Sequence, residues 1–193
     1  MSLSDREISA EIIELCRRGD RDAFRSLYEA YKDGVYSIAL YFFHGDAAAA
    51  ADATQQVFLR LMTRLGKFHG ESDFGTWLYR VVVNVCLDGA RQSSSRKEDS
   101  AERLANLPVA ASHDDELAQN EIAGAVRDAI SSLPPKLRLP ILLRYFDELS
   151  YGQMAEALQC SAGTVASRLS RGHRLLAEKL ARLRGAAVET ARN

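Results

Sequence analysis

Between Ser150 and Arg171 the chain reads SYGQMAEALQCSAGTVASRLSR, and no other stretch narrows its architecture as far. Ser150 and Gln153 have the spacing of a capping box, in which each side chain satisfies an orphan amide at a helix N-terminus. Ser161 is placed to cap a second helix, with Thr164 one turn further on. At 100° per residue, Val165, Leu169, Gly172 and Leu176 of this second helix fall on one face, and Gly163, Ser167, Ser170, Arg171 and Arg174 fall opposite. The pattern predicts a helix-turn-helix. Its second helix buries one face in a core and offers small polar and cationic side chains, the set that suits close approach to a DNA major groove. The competing reading is a helical hairpin of a bundle with a solvated basic face.

Helical periodicity recurs along most of the remaining sequence, and with only four prolines and scarcely any alternating pattern there is little room for strands. The expected fold is all-α. Helices are predicted over residues 8–17 and 22–43, then from the alanine run at Ala47 to about Leu65. A fourth begins near Asp73 and carries Phe74, Trp77, Leu78, Val81, Val82 and Val85. The pattern breaks at Gln92 into a serine-rich, charged stretch with few bulky apolar residues. About 27 residues is long for a connection inside one compact domain. The expected organisation is therefore two small helical domains, residues 1–92 and 120–193, joined by a flexible linker over 93–119. Helices resume with Ile122, Val126 and Ile130, then from Leu137 to Tyr145 after Leu133-Pro134-Pro135, ahead of the helix-turn-helix.

The formal net charge of −1 conceals an uneven distribution. Residues 1–92 carry 11 basic and 13 acidic side chains, whereas residues 120–193 carry 11 and 7. Within 161–184 the count is 6 basic against 1 acidic, so positive charge collects in and just after the second helix of the pair, where a phosphate backbone requires it. Cys16, Cys86 and Cys160 have no metal-ligand spacing, and their odd number argues against a disulfide framework. No metal and no cofactor is expected. The N-terminus lacks the basic-then-apolar order of a secretory signal, and no apolar run approaches the ~20 residues that cross a bilayer, so membrane insertion is not expected and the cytoplasm is the expected location.

Two helix faces carry more information than their core positions. In the third helix Val57, Phe58, Leu61, Met62 and Leu65 read as core, while Asp52, Gln56, Leu59 and Thr63 project opposite with Gln55 and Arg60 beside them. An amide-rich face with one apolar anchor suits docking on another protein's helix without stripping several charges of water. A plain solvated face is the alternative, since scattered surface leucines are ordinary. In the fourth helix apolar residues cover most of the circumference and leave a stripe of Arg80, Asn84, Asp88 and Arg91, with Trp77 at its edge. Asn and Arg contact bases and phosphates, and aromatic rings stack on unpaired bases. The preceding segment, His69, Gly70, Glu71, Ser72 and Asp73, is short and polar, fit to shape a loop with a pocket for an extruded base. A core tryptophan beside a solvated, salt-bridged stripe is the alternative. Catalytic machinery is thin. Glu71 and Asp73 have no histidine pair, nucleophile motif or second carboxylate cluster beside them, so no catalytic residues are expected.

Together these segments resemble the bacterial extracytoplasmic-function sigma factors, the two-domain class of RNA polymerase sigma subunit, over about residues 20–92 and 120–182. The pattern Asp22-Ala23-Phe24 with Leu27, Tyr28 and Tyr31 is similar to the start of the family's first domain. Asp52, Gln55, Gln56, Phe58 and Leu59 resemble its polymerase-docking helix, and Gly70 to Phe74 with Thr76, Trp77, Leu78, Tyr79, Arg80, Asn84 and Asp88 its promoter-melting segment. Leu133-Pro134-Pro135, Arg138, Leu149-Ser150-Tyr151 and Gly163-Thr164-Val165 with Ser167, Arg168, Leu169 and Arg171 resemble the second domain.

The resemblance implies that Asp52, Gln55, Gln56, Leu59 and Arg60 sit against the largest subunit of core RNA polymerase. His69, Gly70, Glu71, Ser72, Asp73, Trp77, Arg80 and Asn84 would open promoter DNA at the minus-10 element. Gly163, Thr164, Ser167, Arg168, Ser170, Arg171 and Arg174 would read the minus-35 duplex, and an anti-sigma factor is an implied partner. Departures from the family pattern are Gln56 in place of Glu, Gly75 at the helix start, Gln159 at a turn position that favours glycine for positive φ, and Ala166, Gly172 and His173 in the recognition helix. The rival readings are a stand-alone helix-turn-helix regulator with a sensing or dimerising first domain, and an all-helical enzyme using Glu71 and Asp73. A sensor domain requires neither the Asp52–Gln56–Leu59 face nor the Arg80–Asn84 stripe.

Overall fold

A computed structural model describes residues 8–68, 70, 73–98 and 124–190, and these are helical with no strand among them. The elements are α1 (Ala10–Arg17), α2 (Arg21–Phe42), α3 (Ala47–Arg64), a 3-10 turn at Leu65–Lys67, α4 (Phe74–Glu98), α5 (124–131), α6 (Pro135–Phe146), α7 (Tyr151–Ala157) and α8 (Ala162–Thr190). The linker expected over 93–119 overlaps the end of α4, which runs six residues past Gln92 to Glu98; residues 99–119 lie outside the described residues.

Short polar side chains start these helices. Ser9 accepts from the Ile12 amide, Asp20 from Ala23 at 2.8 Å and Asp46 from Ala49 at 3.0 Å, each satisfying an orphan donor of the first turn. Proline 135 opens α6, where its fixed φ suits the first turn and its missing N–H costs nothing. The capping box of α7 is complete: the Ser150 amide donates to Gln153 Oε1 at 2.9 Å and the Gln153 amide to Ser150 Oγ at 3.3 Å. Gln159, in the turn that follows, has φ +51°, the left-handed conformation expected at that position.

Helices α1 to α4 enclose Leu27, Val35 and Phe42 of α2, Ala50, Val57 and Leu61 of α3, and Leu78, Tyr79 and Val82 of α4. The C-terminal helices enclose Leu139, Leu142, Leu143, Leu149, Met154, Val165 and Leu169. Gly172 sets the spacing of α8 on α6. A Cβ there would stand 3.2 Å from Ile141 Cγ1, so only glycine permits this approach without a shift. At the start of α4 a Cβ on Gly75 would meet Asp73 Oδ2 at 2.9 Å, so a larger residue there would shift the capping carboxylate.

The two sets of helices share one apolar cluster, with α6 against α2 and α7 against α4. Tyr41 and Phe146 pack across this boundary with ring centroids 4.3 Å apart and their planes inclined at 42°. Beside them Arg138 of α6, only 5% exposed, donates to the carbonyls of Phe42, Ser131 and Leu133 and lies over the Phe42 ring. Burial pushes its guanidinium down to about 10, still well above neutral pH, so three carbonyl dipoles hold a buried cation.

Candidate nucleic-acid interface

The second helix of the helix-turn-helix is α8, and Ser161 caps it: the Thr164 amide donates to Ser161 Oγ at 3.1 Å. Its two faces divide as the periodicity predicts. Val165, Leu169 and Gly172 are buried and Leu176 is half-buried, while Gly163, Ser167, Ser170, Arg171 and Arg174 are exposed. Thr164 and Arg168 are half-buried. Arg168 turns back to the turn, with Nη1 3.7 Å from Cys160 Sγ, and so stands apart from Arg171 and Arg174. His173 is exposed beside Tyr145, whose hydroxyl lies 3.0 Å from its Nε2.

At the start of α4 the expected loop is described in part. Gly70 is exposed with φ +76°, and Asp73 is exposed and caps the helix by accepting from the Thr76 amide at 3.2 Å; His69, Glu71 and Ser72 lie outside the described residues. Behind the loop Phe68, Phe74 and Trp77 form an aromatic nest with centroids 5.3 to 5.9 Å apart, and Trp77 is half-buried in it. One turn on, Arg80 donates from Nη2 to Glu156 Oε1 of α7 at 3.1 Å. Asn84 is half-buried on the same stripe. Asp88 holds Arg60 of α3 at 2.9 Å and Arg91 at 3.3 Å.

On α3, Asp52, Gln55 and Gln56 are exposed and Leu59 is 47% exposed. Arg60, expected on the same face, is half-buried and leans on α4 through Asp88. Met62, expected in the core, is 62% exposed, which corrects that assignment. It lies about 60° round the helix from Leu59, on the same exposed flank. Tyr28, Phe58, Leu59 and Met62 line a groove of about 550 Å³ between α2 and α3. Met62 was the residue missed on this face, and its place one turn from Leu59 was the available signal. Glu156 had no signal, being 76 residues from the arginine it binds.

Burial pushes the Cys86 thiol up to about 12, and burial followed by the nearby Asp20 carboxylate raises Cys16. Among the described residues no cluster of His, Cys, Asp and Glu could hold a metal ion, and no helix is long and apolar enough to cross a membrane. The geometry offers an exposed cationic helix face, a polar stripe beside an aromatic nest and an exposed amide-rich face with apolar anchors.

Comparison with known proteins gives this geometry a context. Residues 27–96 match the family model of sigma-70 region 2, and residues 123–176 that of sigma-70 region 4. The chain is 33% identical to the RNA polymerase sigma-H factor of Pseudomonas aeruginosa over 183 residues, covering 90% of this chain and 94% of that one. It is 31% identical to the ECF RNA polymerase sigma-E factor of Escherichia coli K12, covering 92% and 97%, and 30% identical to the ECF sigma factor SigW of Bacillus subtilis, covering 87% and 94%. Among solved structures it is similar to CnrH in complex with the cytosolic domain of CnrY, with TM-score 0.65 at 21% identity over 88% of this chain and 94% of that one. It is also similar to the sigma factor RpoE of Bartonella quintana in complex with the anti-sigma factor NepR, with TM-score 0.64 at 22% identity over 81% and 96%. At these identities the two structures speak to the fold.

Proposed function

The chain belongs to the sigma-70 family, in its extracytoplasmic-function class, and from that premise we propose how its surfaces divide the work of starting transcription. It is a sigma factor: it binds core RNA polymerase and directs initiation at specific promoters, and it is not an enzyme. The observation that carries this over a stand-alone regulator is that region 2 and region 4 occur in order in one chain that spans 94% of the Pseudomonas aeruginosa sigma-H factor and 97% of the Escherichia coli sigma-E factor.

The exposed face of α8 reads the minus-35 element as duplex. Ser167 and Ser170 permit close approach, and Arg171 and Arg174 donate to base edges or phosphates. The loop of residues 69–73, the aromatic nest with Trp77, and the Arg80 and Asn84 stripe bind the minus-10 element as separated strands. Unstacking a base pair costs a few kcal/mol, which stacking on an aromatic ring and phosphate contacts offset. Asp52, Gln55, Gln56 and Leu59 dock on core polymerase, with Arg60 braced against α4 and Met62 extending the apolar anchor. We assign residues 1–92 and 120–193 as the two functional domains. The cytoplasm, where polymerase and promoter meet, is the assigned location. An anti-sigma factor is a partner, supported by the likeness to RpoE of Bartonella quintana in complex with one.

The docking assignment is tested by changing Gln56 and Leu59 together to Lys. The double variant should remain folded yet fail to co-purify with core polymerase. Undiminished binding would remove the assignment.

A further inference from the structure

Helix α6 meets α8 at two successive points. Ile141 packs on Gly172, and one turn further along α6 Tyr145 meets His173. The Tyr145 hydroxyl lies 3.0 Å from His173 Nε2, and the two rings meet edge to face with centroids 5.7 Å apart. The fold does not cover this pair: Tyr145 is 63% exposed, more than any other large apolar side chain among the described residues, and His173 is exposed. His173 stands about 60° round α8 from Ser170 and directly precedes Arg174, so the pair borders the face assigned to the minus-35 duplex.

We propose that Tyr145 and His173 form a phosphate-binding contact at the edge of the minus-35 surface, in which the hydroxyl orients the ring and the protonated imidazole binds a backbone phosphate. The inference rests on the role given above to α8. Imidazole changes charge between about pH 5 and 8. With both ring nitrogens protonated, Nε2–H donates to the hydroxyl oxygen, which leaves Nδ1–H and the phenolic O–H for the oxygens of one phosphate. A hydrogen bond from a cation to a phosphate is roughly twice as strong as a neutral one. The helices around His173 do not supply that anion. On α6, Lys136, Arg138 and Arg144 are cations, Arg138 being buried at Phe42 and Arg144 donating to the Leu149 carbonyl. Asp147, after α6, is buried, and α7 brings Tyr151 and Glu156, the latter paired with Arg80. On α8 the nearest charges in sequence are the cations Arg171 and Arg174, with Glu178 five residues on. Among the described residues Tyr145 is the one side chain hydrogen-bonded to His173, and no carboxylate pairs with it. A bound phosphate therefore favours the imidazolium, and duplex affinity rises as pH falls.

The test uses the holoenzyme formed by the full-length chain with core polymerase, and a duplex carrying the minus-35 element of a promoter mapped by run-off transcription. At fixed ionic strength the wild-type affinity should rise about three- to tenfold from pH 8 to pH 6, and the slope of log affinity against log salt should steepen by about 0.9 at the lower pH, as one added phosphate contact requires. His173→Gln should show neither change. His173→Arg carries a fixed charge and should bind at pH 8 about as tightly as the wild type does at pH 6. Tyr145→Phe keeps the ring without the hydroxyl and should lose most of the pH response. A wild-type affinity no more dependent on pH than that of His173→Gln, or a His173→Arg affinity at pH 8 no higher than that of the wild type, would overturn the proposal. A full response in Tyr145→Phe would overturn the part given to Tyr145. If run-off maps no promoter the sigma assignment fails, and if the holoenzyme binds the duplex at neither pH the minus-35 reading fails, each taking the proposal with it.

Discussion

Arg138 Nη1 donates to the main-chain carbonyl of Phe42, the last residue of α2, across 96 residues of sequence. A helix ends in carbonyls without intrahelical donors and in the negative pole of its dipole, and a buried guanidinium answers both. The same side chain donates to Ser131 and Leu133, so one residue joins the α5–α6 turn to the end of α2.

Arg138→Met should therefore lower the free energy of unfolding by about 2 to 4 kcal/mol, since several buried carbonyls lose their donor. Urea unfolding followed by the fluorescence of Trp77, the single tryptophan, measures this. A loss below about 0.5 kcal/mol would show that the boundary does not depend on this contact.

Arg171→Ala should weaken binding to a minus-35 duplex by about 1 to 3 kcal/mol if Arg171 makes a bidentate base contact. Arg168→Ala should cost less, because Arg168 is turned toward Cys160. Fluorescence anisotropy on the duplex at several salt concentrations ranks the two. The reverse order, or an affinity for Arg171→Ala that is unchanged and insensitive to salt, would count against the assigned face.

Asn84→Ala should impair open-complex formation more than closed-complex binding, as permanganate reactivity of unpaired thymines compared with mobility shift would report. Equal losses in both would contradict a strand-separating role for the stripe.

Thiol accessibility follows from burial. With its thiol pushed up to about 12, Cys86 presents a thiolate fraction on the order of 10⁻⁴ at pH 8, and lies inside the core besides. Iodoacetamide at pH 8 should modify Cys160 first and Cys86 only in urea, as peptide mass spectrometry would show. Raising the pH toward 12 raises the Cys86 thiolate fraction but leaves the steric protection in place. Rapid alkylation of Cys86 in the native protein would indicate a much looser α4.

Local signals carried most of the fold. The reciprocal Ser150 and Gln153 caps, the Ser161 cap and the helical phase of Val165, Leu169 and Gly172 are short-range patterns, and each is realised. Even the positive φ of Gln159 was legible, because the turn geometry demands it whichever residue stands there. Tertiary pairings were not. Nothing near Arg80 announces Glu156, nothing near Arg60 announces Asp88, and Met62, close enough in phase to Leu61 and Leu65 to read as core, stands exposed at the rim of the groove between α2 and α3. The extension of α4 to Glu98 escaped notice because serines and charges lower helix propensity without forbidding a helix already nucleated.

Run-off transcription with core polymerase and this chain, with the RNA 5′ ends mapped by sequencing, bears on the whole account at once. Discrete starts should appear only when the chain is present, each preceded by a common pair of upstream elements. Transcripts with scattered ends, or the same ends with and without the chain, would contradict it.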